Sequence, residues 1–141
     1  MKIDESTVMA LPRKLVEQVI LGLYDQINVH LVKMVGFDFS PELRLHFRRE
    51  LRSWLNKIQR LRMKPNNRPG SYKFYYDLMY EYPFGGVEVE NMRSIIDLIS
   101  EDYEVRPTRQ PEEMVEWLRQ FHTELAERLH NGEDVLDLIP E

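Results

Sequence analysis

The sequence predicts a single α+β domain spanning residues 1–141, with two N-terminal helices, a small antiparallel sheet and two further helices. Apolar residues recur at spacings of three and four over separate stretches, which indicates amphipathic helices. Aromatic residues alternate over residues 72–82, which favours a strand. A chain of 141 residues can also bury one core without cross-links. An all-α fold is the alternative, because the aromatic stretch can also be drawn as a helix.

The first helix is predicted over residues 11–35. Its apolar stripe consists of Val16, Val19, Ile20, Leu23, Ile27, Leu31 and Met34. Such a stripe is typical of a helix that packs one face against a core. Gly36 follows, where a C-terminal glycine commonly ends a helix. His30 lies beside the stripe, and we interpret it as a partly buried histidine with a local partner rather than as a ligand.

The second helix is predicted to begin at Ser40, an N-cap residue, with Pro41 in the first helical position. It should end near Arg62 or Met63, because Pro65 disfavours helical geometry in the residue before it. Outside its apolar stripe the helix carries Arg44, Arg48, Arg52, Lys57 and Arg60, with Arg49 nearer the boundary. This helix is therefore expected to be strongly basic on its outer side.

A loop and a hairpin are predicted between residues 64 and 90. Two prolines, two asparagines and a glycine mark residues 64–71 as an exposed loop. The alternating aromatic residues 72–82 predict the first strand of the hairpin. Residues 87–90, Val-Glu-Val-Glu, alternate in the same way and predict its return strand.

The C-terminal part is predicted to contain two helices and a short strand. Asn91 is the expected N-cap of the third helix. Residues 102–107 are interpreted as a third strand that ends at Pro107. The last helix should run from about Pro111 to Leu129, stop at Asn131-Gly132, and be followed by an apolar tail that docks on the core.

Charge is distributed unevenly along the chain. Residues 42–73 contain ten Lys or Arg against two Asp or Glu, whereas residues 74–141 contain five against seventeen. The net charge of −5 therefore hides a basic segment followed by an acidic one. Such a chain either presents two electrostatic fields to different partners or neutralises itself on folding.

No sequence pattern predicts catalysis. The sequence contains no phosphate-binding glycine loop, nucleophile elbow or zinc-protease motif, and it has no cysteine. Glu127 and His130 have the spacing of half a di-iron motif, which needs two such pairs. We therefore predict a non-enzymatic protein with no catalytic residue, metal site or cofactor, and the residues indicate no small-molecule ligand.

The same composition predicts a cytoplasmic location. A cysteine-free sequence fits a reducing compartment, and the first residues do not resemble a secretory signal. No window of roughly eighteen apolar residues is present, so the sequence predicts no membrane association.

A binding module is the function that the residues favour. The predicted binding residues are Arg44, Arg48, Arg52, Arg60, Lys64, Arg68, Lys73 and Tyr75. We predict that this basic helix and loop, residues 44–73, engage an acidic protein surface on another chain or on a second copy in a homodimer. Nucleic acid is the alternative partner, because adjacent aromatic residues can stack on bases. The acidic sequence pI of about 5.4 speaks against nucleic acid.

Overall fold

The computed structural model describes residues 13–63 and 89–140, except the side chains at 13–17, 19, 20, 61–63 and 130. It contains four α-helices and a 3₁₀ turn: α1 (Arg13–Gly36), α2 (Pro41–Met63), α3 (Val89–Tyr103), α4 (Pro111–Asn131) and the turn Leu136–Leu138. These ranges contain no β-sheet, so the predicted α+β class is wrong for the described chain and the all-α alternative is supported.

The predicted hairpin over residues 72–90 fails at its return strand. Val89 and Glu90, which were assigned to that strand, form the first turn of α3. Val89 is three residues before Met92 and seven before Ile96, so it continues the stripe that α3 packs on the core. Packing on this stripe outweighs the short alternation, and Asn91 lies inside the helix instead of capping it. The first strand, residues 72–82, lies outside the described residues.

The predicted third strand, residues 102–107, is also replaced by other structure. α3 extends through Tyr103, and Glu104 follows with a left-handed φ of 53°. The Val105 N–H donates a hydrogen bond of 3.2 Å to the Ser100 carbonyl across this turn, as at many helix C-termini. Pro107 forms one isolated antiparallel bridge to Phe37, which is too little pairing to make a strand.

The other three helices confirm the sequence prediction to within two residues at each end. The N-cap of α2 is also confirmed, because the Leu43 N–H donates a hydrogen bond of 3.4 Å to Ser40 Oγ. The tail docks as expected, since Val135 and Ile139 are buried and the Val135 N–H donates to Gln59 Oε1 of α2 at 2.8 Å.

Helix α1 is the central element of the fold. It packs against α2, α3 and α4, and its residues Tyr24, Ile27 and Leu31 are fully buried. Helices α3 and α4 pack extensively against each other, whereas α2 is held mainly by α1 and the 3₁₀ turn. The basic helix is therefore not sandwiched between the two acidic helices.

Donors from elsewhere in the chain satisfy the last carbonyls of α1, which lack partners within the helix. These donors are Arg44 Nη1 to Met34 (2.9 Å), Arg109 Nε to Val35 (3.2 Å) and the Thr108 N–H to Gly36 (2.8 Å). Two of them are guanidinium groups, whose positive charge suits the negative end of a helix dipole. This capping fixes the start of α2 and the 104–110 loop against the end of α1.

The end of α4 gives a first test of the fold. Gly132 has a φ of 77°, a conformation that costs a residue with a Cβ about 1–2 kcal/mol. Gly132→Ala is therefore expected to lower the free energy of unfolding by about 1 kcal/mol in urea denaturation. The matched control is Gly22→Ala in α1, where an added Cβ meets no atom within 4 Å. That change should instead stabilise by about 0.5–1 kcal/mol, and a stabilising effect at both positions would contradict the left-handed cap.

Candidate protein interface on helix α2

Helix α2 is amphipathic, with its cations outside the stripe that packs on the core. The buried stripe consists of Phe47, Leu51, Leu55 and Ile58. Arg48, Arg49 and Arg52 are exposed, and Leu45 near them is 48% exposed. Leu45 lies three positions before Arg48 and four before Arg49, and Arg52 follows these two arginines by four and three positions. Their side chains are therefore neighbours on the helix surface. We call Leu45, Arg48, Arg49 and Arg52 the α2 patch.

The described acidic side chains do not neutralise the α2 patch. Within residues 13–63 and 89–140, none of its three arginines makes an ion pair. Ion pairs of the acidic helices instead join Arg93 to Glu112 at 3.2 Å and Arg128 to Glu124 at 2.9 Å. Glu50, which lies in α2 itself, is engaged by His30 at 2.8 Å. The α2 patch therefore presents positive charge at the surface of the described chain.

The structure separates the predicted binding residues into three groups. Arg48 and Arg52 belong to the α2 patch, and Arg60 is exposed on the same helix. Arg44 is half-buried and caps α1, so its guanidinium has a structural task. The remaining predicted residues lie outside the described ranges: Lys64, Arg68, Lys73 and Tyr75.

Two residues of the patch were not among the predicted binding residues. Arg49 was placed nearer the boundary of the apolar stripe, yet it is exposed. Leu45 falls out of phase with the stripe that contains Phe47 and Leu51, and this phase difference is the signal that could have identified it as exposed.

Glu50 belongs to a polar cluster that joins α1 to α2. Both ring nitrogens of His30 face oxygens that only accept hydrogen bonds: Nε2 lies 2.8 Å from Glu50, and Nδ1 lies 2.6 Å from the Gln26 carbonyl. The other Glu50 oxygen contacts His46 Nε2. The His30 hydrogen bond, with the charges of His30, His46 and Lys33, holds the pKa of Glu50 below its ordinary value of 4.5. The predicted local partner of His30 is confirmed as the Gln26 carbonyl, but His30 is buried and not partly buried.

A second polar cluster lies inside the core, between α1 and α4. His122 is 2% exposed, and its Nε2 donates a hydrogen bond of 2.5 Å to Asn28 Oδ1. The ring of Tyr24 meets that of His122 edge-on, with centroids 5.9 Å apart. Burial lowers the pKa of His122 from 6.5 to about 3, so the ring is neutral at physiological pH. This hydrogen bond joins α1 to α4 through two residues that are far apart in sequence.

Neither a metal site nor a membrane-spanning helix is found among the described residues. Among the described residues, no group of three or more His, Asp or Glu side chains is arranged to hold a metal ion. The His130 side chain of the partial di-iron motif lies outside those residues. None of the described helices combines the length and the apolarity that crossing a membrane requires.

Comparison with protein-family models, with curated proteins and with solved structures gives no match. The surface chemistry of this chain is therefore the basis for a functional proposal. On α2 that surface carries the three exposed arginines of the α2 patch.

Proposed function

We propose that this protein is a non-enzymatic binding module whose α2 patch docks on an acidic protein surface. The observation that supports it is the exposure of Arg48, Arg49 and Arg52 without an ion pair to any described residue. Guanidinium groups present forked donors that match carboxylate oxygens. The cytoplasmic location predicted from the sequence is part of this proposal.

The combination of an exposed leucine with arginines in the patch favours a protein over nucleic acid. Leu45 provides an apolar contact beside the arginines, and apolar anchors combined with arginine are typical of protein interfaces. Phosphate backbones are bound mainly through charge and offer no apolar surface for Leu45 to contact. A small acidic area on a partner protein can pair with the arginines of the α2 patch while the acidic helices of this chain stay away from it.

Fluorescence anisotropy with labelled probes tests this proposal. The probes are a glutamate-rich peptide with leucines at helical spacing, a DNA oligonucleotide and an RNA oligonucleotide. The full chain is expected to bind the acidic peptide more tightly than either oligonucleotide at low salt, with an affinity that falls as salt rises. Arg48→Glu and Arg52→Glu should each weaken peptide binding about tenfold, because each places like charges opposite one another.

Arg106→Glu is the matched control, because Arg106 is an exposed arginine in the 104–110 loop and the charge change is the same. It should leave the affinity for the acidic peptide within about twofold of the original chain. Equal losses for Arg106→Glu and the patch variants would contradict docking at the α2 patch. Tighter binding of an oligonucleotide than of the peptide would contradict a protein partner and select nucleic acid.

A further inference from the structure

A second exposed patch, opposite in charge, lies on α3. Leu98 is 60% exposed, more than any other large hydrophobic side chain among the described residues. Glu101 and Asp102 beside it are also exposed, and neither makes an ion pair with a described residue. We call Leu98, Glu101 and Asp102 the α3 patch.

The α2 and α3 patches have the same geometry. In each, an exposed leucine is followed by two like charges at the third and fourth positions, arginines on α2 and carboxylates on α3. Because both segments are α-helical, the same spacing places the charges in the same way around each leucine. Two such helices that lie parallel with their leucines in contact bring both arginines next to both carboxylates.

The position of the acids in α3 gives an independent reason for an external cation. Glu101 and Asp102 lie in the last turn of α3, which contains no basic residue. The C-terminal end of a helix carries negative partial charge, so carboxylates there are repelled by the helix itself. An arginine that arrives from outside the chain relieves this repulsion and pairs with the carboxylates as well.

The two patches of one copy do not cover each other. Leu45 and Leu98 are 48% and 60% exposed within a single chain. The contact between α2 and the end of α3 is made by other side chains, with the rings of Phe47 and Tyr103 5.8 Å apart. The complementary surfaces are therefore both open in one copy.

We infer that the α2 patch of one copy docks on the α3 patch of a second copy, with the two helices parallel. This inference rests on the proposed function and names its partner as another molecule of the same chain. Two different surfaces meet in such a contact, so in a bound pair one copy still offers its α3 patch and the other still offers its α2 patch. The contact is small and charged, which predicts weak, salt-sensitive association.

Sedimentation velocity of the full chain tests this inference. At low salt the mean mass should rise with concentration above the 17.0 kDa of one chain, and at high salt it should return to that value. A mean mass that stays at one chain over the whole concentration range at low salt overturns the inference.

Charge reversal distinguishes this contact from general self-association. Arg48→Glu/Arg49→Glu makes both patches of the chain acidic, and Glu101→Lys/Asp102→Lys makes both basic, so each variant alone should be monomeric. An equal mixture restores opposite charges at both kinds of contact and should recover the higher mean mass. Arg106→Glu, the control, should associate as the original chain does. No recovery in the mixture, with both variants folded by circular dichroism, overturns the inference.

The outcomes also separate this inference from the proposed function. A chain that stays monomeric but binds the acidic peptide through the α2 patch overturns self-docking and leaves the proposed function standing. A chain that neither associates nor binds the peptide overturns both.

Discussion

Acidification from about pH 7 to about pH 4 is expected to destabilise this protein by about 3 kcal/mol through His122 alone. The side chain is 2% exposed, and burial lowers its pKa from 6.5 to about 3 in the folded state. In the unfolded chain the ring binds a proton below its ordinary pKa of 6.5. The unfolded state therefore binds more protons than the folded state between these two values, so stability falls as pH decreases through that window.

Replacement of the ring tests this expectation. His122→Gln keeps an amide N–H that can donate to Asn28 Oδ1, but it does not titrate. The variant should be less stable at neutral pH, and its deficit relative to the original chain should shrink by about 3 kcal/mol at about pH 4. Urea denaturation over a pH series measures both values. Parallel curves for the original chain and His122→Gln would contradict the assignment.

Phe47→Ala is expected to lower the free energy of unfolding by about 3–5 kcal/mol. Phe47 is 2% exposed and is the main aromatic contact between α2 and its neighbours. Its ring lies edge-to-face with Phe39 at 5.1 Å and with Tyr103 at 5.8 Å. Lys33 Nζ lies 4.8 Å from the ring centroid. Truncation to alanine removes these contacts and leaves a cavity where α1, α2 and α3 meet.

The matched control for this truncation is Leu45→Ala, two residues earlier in the same helix. Leu45 is 48% exposed, so its truncation should change the free energy of unfolding by no more than about 0.5 kcal/mol. Chemical denaturation of both variants provides the comparison. Losses of similar size would show that α2 does not pack on the core through the Phe47 side.

The sequence predicted the helices whose apolar stripes are long and in phase. The apolar stripe extends over several turns in each of α1, α2 and α4, so the pattern fits a helix and does not fit a strand. The two strands that were wrongly predicted lie at the ends of α3. There a few residues fit both the two-residue period of a strand and the 3.6-residue period of a helix. Val89 alternates with its neighbours but is also in helical phase with Met92, and packing on the core decides for the helix.

The candidate site could be predicted only in part, because partners distant in sequence assign some of the roles. The exposure of Arg48 and Arg52 follows from their phase relative to the apolar stripe. Arg44 has a similar sequence context, yet its guanidinium donates a hydrogen bond to the Met34 carbonyl and so caps the end of α1. The hydrogen bond between His122 and Asn28 likewise depends on the packing of α4 against α1, which periodicity does not specify.

We propose that the α2 patch is open to an acidic partner, although the chain as a whole carries a net charge of −5. Nuclear magnetic resonance titration of the ¹⁵N-labelled full chain with the glutamate-rich peptide tests it most directly. We expect the amide signals of residues 45–52 to shift at low salt and to return at high salt, while those of the buried α4 residues Met114, Leu118 and Leu125 stay in place. Peptide binding that leaves the amide signals of residues 45–52 unchanged would contradict docking at the α2 patch.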